Sequence, residues 1–88
     1  MLNEDIIKSY IPEIKKFHSH SNNEVKNFSI ELTRSINNLL ERNITKEEFN
    51  DGNTLGIPTS NEVSEEEILA RKSLNYIKER VLEFYVSG

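Results

Sequence analysis

At 88 residues the chain is one domain, of a size that buries only roughly 60 to 65% of the surface its unfolded form exposes. Hydrophobic residues at 35% and charged residues at 30% supply a compact helical core but not an enclosed ligand cavity as well. The absence of cysteine removes disulfide and thiolate chemistry and suits a reducing cytoplasm, and a net charge of −4 makes nucleic acid a poor partner.

The first ten residues carry acids early and no apolar run, so neither a signal sequence nor a membrane span is expected. Asn3, Glu4 and Asp5 supply a cap and first-turn acids, after which Ile6, Ile7, Tyr10, Ile11, Ile14 and Phe17 recur at helical intervals. This predicts a helix over about 4–18. Pro12 interrupts it by removing a backbone donor, so the helix kinks or restarts near residues 9–11, and the unbroken apolar phase favours a kink.

The polar run 18–23 reads as a turn. A second helix over about 23–42 follows, with Val25, Phe28, Leu32, Ile36, Leu39 and Leu40 on one side, and Asn43 is expected as its left-handed C-terminal residue.

Two matching hexapeptides then announce helix starts: Ile44-Thr45-Lys46-Glu47-Glu48-Phe49 and Val63-Ser64-Glu65-Glu66-Glu67-Ile68. In each, a hydroxyl can accept from the backbone N–H three residues on while a Glu reaches back to the cap, inside a pair of apolar residues. The first opens a short helix over about 46–51. The second opens a last helix over about 65–86 whose Leu69, Ala70, Leu74, Tyr76, Ile77, Val81, Phe84 and Tyr85 form a stripe wide enough for two neighbours. Between them, residues 50–63 hold Gly52, Gly56 and Pro58 and read as a loop. Its apolar island, Leu55-Gly56-Ile57-Pro58, either lids the bundle end or touches a partner.

The fold class is therefore all-α, a small antiparallel bundle of three long helices and one short one, with a dimer as the other way to complete its core. Little points to chemistry. His18 and His20 lack further ligands, so no metal site is expected. Gly52 and Gly56 lack the rest of a phosphate-binding loop, so no cofactor is expected. The paired glutamates lie in solvated first helical turns, where nothing raises a carboxyl pKa, so no catalytic residue is assigned.

Charge is more informative. Residues 41–67 hold eight acids against two bases, a balance of −6, while the flanking thirds carry 0 and +2. Helix-start electrostatics accounts for part of this, since acids at an N-terminus favour the macrodipole. The remainder would attract a cationic surface and speed its capture.

The string Leu39-Leu40-Glu41-Arg42-Asn43-Ile44-Thr45-Lys46-Glu47-Glu48-Phe49 resembles a stretch of the small helical immunity proteins that protect bacteria from their own colicin-like toxins, in particular the colicin D type. The final helix, Glu66 to Phe84, is also similar to that family's closing helix, although this chain adds a complete helix before the matching one and shortens the middle. The resemblance implies a cytoplasmic bacterial inhibitor of a basic, RNA-cleaving toxin domain, with carboxylates standing where phosphates would lie. The partner-binding residues expected are Glu41, Glu47, Asp51, Leu55, Ile57, Glu62, Glu65 and Glu66. The alternative is a self-associating or adaptor helical module that makes contact through the last helix, at Tyr76 or Phe84.

Overall fold

The computed structural model of the chain describes residues 3–56 and 64–85. Five α-helices lie among them and no strand: α1 (Asn3–Ser9), α2 (Ile11–Lys15), α3 (Asn23–Leu40), α4 (Lys46–Gly52) and α5 (Glu65–Phe84). The all-α class holds, and no helix among the described residues is long and apolar enough to cross a membrane.

The first expected long helix is two short ones. Tyr10 keeps near-helical dihedrals (φ −79°, ψ −19°) but its N–H donates to the Ile7 carbonyl, three residues back. Pro12, in the first turn of α2, has no N–H to continue the ladder. The apolar phase does survive the interruption, with Ile7 and Ile14 both buried. Turns bonded at three-residue spacing then carry the chain through Phe17 and His18.

The starts of α3, α4 and α5 follow from side-chain caps. The Asn22 carboxamide oxygen accepts from the Val25 N–H, the Thr45 hydroxyl from that of Glu48, and the Ser64 hydroxyl from that of Glu67. Only the box at Thr45 is reciprocal, since the Glu48 carboxylate also accepts from the Thr45 N–H, whereas Glu67 turns instead to Arg71. α3 ends in a Schellman arrangement: the Asn43 N–H donates to the Asn38 carbonyl and the Arg42 N–H to that of Leu39. The left-handed residue is Arg42 (φ 60°), not Asn43 as the sequence suggested.

Contacts at both ends of α3 set the bundle's handedness of travel. Near its start, Glu24 meets Arg71 in the second turn of α5, and beyond its end Arg42 meets Tyr85 just after α5. α3 and α5 are therefore parallel. α1 and α2 run the other way along α5, Tyr10 lying at Arg80 while Glu13 borders Leu69 and Lys72. An antiparallel bundle of three long helices is thus corrected on both counts: two helices are long, and those two point the same way.

Parallel neighbours require a return connection, and residues 53–56 begin it. Asn53 is buried and donates to the Phe49 carbonyl, Leu55 enters the core, the Leu55 carbonyl accepts from Asn75 and the Gly56 carbonyl from Arg71. The core they complete consists of Ile7, Ile14, Val25, Phe28, Leu32, Ile36, Leu39, Phe49, Leu55, Ala70, Leu74, Ile77 and Val81. Within α5 the buried seam is Ala70, Leu74, Ile77 and Val81; Leu69 at 63% and Tyr76 at 57% exposure stand outside it. The stripe expected of α5 is otherwise used as expected: Phe84 and Tyr85 pack partly buried against the same core, and α5 contacts α1, α3 and α4, so only Leu69 and Tyr76 of the eight are left outside.

Candidate functional site

The eight residues expected to bind a partner do not form one patch. Ile57 and Glu62 lie outside the described residues. Leu55 is 6% exposed and packed in the core, so its side chain serves the fold rather than a visitor. The five other acids are exposed and divide between the two ends of the bundle.

At one end are Glu41, Glu47 and Asp51. Glu41 caps α3, and α4 carries Glu47 and Asp51 against the far end of α5, where Lys46, Glu47, Asn50 and Leu82 line a cleft of about 290 Å³. At the other end are Glu65 and Glu66, in the first turn of α5; Glu66 borders a polar pocket of about 260 Å³ with His20, Ser21 and Asn22. The length of α3 separates the two groups, 18 residues or about 27 Å at 1.5 Å per residue.

α4 is held by Phe49, which is fully buried, and by its capping box, so its outer face has a fixed orientation. Glu47 and Asp51 are four residues apart, which makes them neighbours on that face, and like charges at this spacing oppose helix formation. Asp51 also lies in the last turn, where the macrodipole is negative and no basic residue compensates it. Among the described residues neither forms an ion pair, nor do Glu41, Glu65 and Glu66; Glu41 accepts only from the Asn43 carboxamide, at 3.2 Å.

Other acids are paired: Glu13, Glu31 and Glu83 with exposed or half-exposed bases one helical turn away, and Glu24 and Glu67 with the buried Arg71, a residue the sequence reading passed over. Arg71 is 5% exposed and its guanidinium donates to Glu24 at 3.1 Å, Glu67 at 3.2 Å and the Gly56 carbonyl at 2.9 Å. The bond from Arg71, and then its charge, hold the Glu24 carboxyl below its ordinary value of 4.5. The same bond to Glu24 raises the arginine further, against the opposing effect of burial, so it stays cationic. A signal was present: Arg71 sits between Ala70 and Leu74 of the seam, four residues after Glu67, the favourable order for a helical ion pair.

A third feature is apolar. Leu69 and Tyr76 flank a groove of about 400 Å³ between α2 and α5 that Tyr10 and Ile77 also line, with Glu13 and Lys72 on it. Among the described residues no three His, Cys, Asp or Glu side chains come together to hold a metal ion. No protein-family model, no characterised protein and no solved structure matches the chain.

Proposed function

We propose that this chain is a small cytoplasmic inhibitor protein of the immunity or antitoxin kind, which binds a positively charged, nuclease-like protein domain through the outer face of α4. Its activity is occupation rather than catalysis. Glu47 and Asp51, with Glu41 beside them, face the partner's lysines and arginines, and the cleft next to Leu82 receives one long cationic side chain. The observation that carries this reading is Asp51. It is unfavourable to its own helix on two grounds, and among the described residues nothing in the fold offsets it. Glu65 and Glu66, at the opposite end, belong to helix-start electrostatics instead.

Co-expression with a cationic, nuclease-like domain, sought first in the neighbouring reading frames, tests the proposal. Wild type restores growth, and the charge-reversed pair Glu47→Lys, Asp51→Lys does not, although it is equally soluble. Protection that survives the reversal removes the proposal. A second reading, a helical module that associates with itself or docks on another helix, is favoured by the exposure of Leu69 and Tyr76 beside their groove.

A further inference from the structure

His20 ends the turn between α2 and α3, and its Nδ1 faces the backbone N–H of Asn22 at 3.0 Å. A backbone N–H only donates, so Nδ1 carries no proton and the ring is the neutral Nε2–H tautomer. That Nε2 is buried and has no hydrogen-bond partner among the described residues. His18, two residues earlier, is in a different position: its Nε2 reaches the Thr33 hydroxyl at 3.2 Å, and since that hydroxyl donates to the Ser29 carbonyl, His18 is the donor. Protonation of His18 preserves its bond, whereas protonation of His20 places an N–H against an N–H and leaves both ring donors without an acceptor.

The charged groups around His20 give its protonated form somewhere to go. From α5, Glu66 and Glu67 line the same pocket; Glu67 is committed to Arg71, whereas Glu66 forms no ion pair among the described residues. On α3, the first-turn acid is Glu24, also committed to Arg71. From the α2 side the neighbour is the uncharged Phe17 ring, 6.4 Å between centroids. We infer that His20 is an acid-sensitive latch: neutral, it holds the chain entering α3 through the Asn22 N–H; protonated, it releases that N–H and swings across the pocket to the Glu66 carboxylate.

Because Asn22 is itself the cap of α3, release loosens the first turn of the helix and leaves the rest in place. Amide hydrogen exchange and imidazole proton shifts, followed by NMR as the pH is lowered from about 8 to about 5, test this. After correction for intrinsic exchange, protection of the Asn22 amide is expected to fall roughly tenfold as His20 titrates, the scale of one lost hydrogen bond. The Glu48 amide, capped by Thr45 with no imidazole in that box, is expected not to change. His20→Asn keeps an acceptor near the Nδ1 position without a titrating proton and is expected to abolish the response, whereas His18→Asn retains it. Should His20→Asn fail to fold, Glu66→Gln serves: it is expected to move the release to lower pH. An Asn22 amide that does not follow His20, a response that persists in His20→Asn, or a release unmoved by Glu66→Gln overturns the latch.

Discussion

Glu24 and Arg71 are 47 residues apart in sequence and 3.1 Å apart in space, and their contact joins the first turn of α3 to the second turn of α5. With Arg42 and Tyr85 meeting at the other end, it fixes the two long helices in parallel. The same guanidinium holds the Gly56 carbonyl, so one buried side chain ties together both helices and the segment that returns between them.

Arg71→Ala is expected to destabilise the protein by about 2 to 3 kcal/mol, because it leaves the largely buried Glu67 carboxylate and a carbonyl without their donor. Arg71→Lys recovers only part of this, since one ammonium cannot reproduce a fork shared among three acceptors. Urea unfolding of both variants is the check.

Stability at acid pH follows from Glu24. Its folded-state carboxyl titrates below the ordinary 4.5, so the stabilisation is fully present above that value and is lost as pH falls through the lower, folded one. Thermal unfolding of Glu24→Gln is therefore expected to show a shallower loss below about pH 4.5 than wild type. The two are expected to have the same slope between pH 5 and 7. Any effect is modest, because the Glu24 side chain is 65% exposed.

α4 depends on Phe49 and tolerates change at Gly52. Phe49→Ala is expected to cost about 3 to 5 kcal/mol, a large part of the stability of so small a domain. Gly52 has no positive φ, closes a helix, and a Cβ there would meet nothing within 4 Å. Gly52→Ala is therefore expected to raise the urea midpoint, by about 0.5 kcal/mol of stability.

The exposed pair on α5 separates the two functional readings. If α4 is the binding face, Leu69→Ser with Tyr76→Ser changes stability by less than about 0.5 kcal/mol, and both wild type and variant are expected to be monomeric in light scattering. A wild-type dimer that these changes dissociate assigns contact to the groove instead.

Helix starts were legible because a cap is a local event: Asn22, Thr45 and Ser64 act within three residues, and α3, α4 and α5 begin where those side chains place them. Helix polarity was not, because it is set by pairs such as Glu24 with Arg71 that leave no local pattern. Pro12 announced an interruption, yet whether α1 and α2 would remain one helix depended on backbone bonding at Tyr10. The count of acids between residues 41 and 67 suggested one patch, but the start of α5, with Glu65 and Glu66, lies by His20, Ser21 and Asn22 at the beginning of α3, the end opposite to Glu41, Glu47 and Asp51. Leu69 and Tyr76 fit a helical stripe by spacing, but α2 covers only one side of them, which spacing does not encode.

The central claim is that α4 presents carboxylates to a cationic partner, and association kinetics test it most directly. Stopped-flow capture of the cationic domain that wild type neutralises in co-expression, at low and high salt, compares wild type with Glu47→Gln, Asp51→Asn. The account predicts an association rate roughly tenfold lower for the variant at low salt, with a flatter salt dependence. Equal rates and equal salt slopes for the two proteins would contradict it.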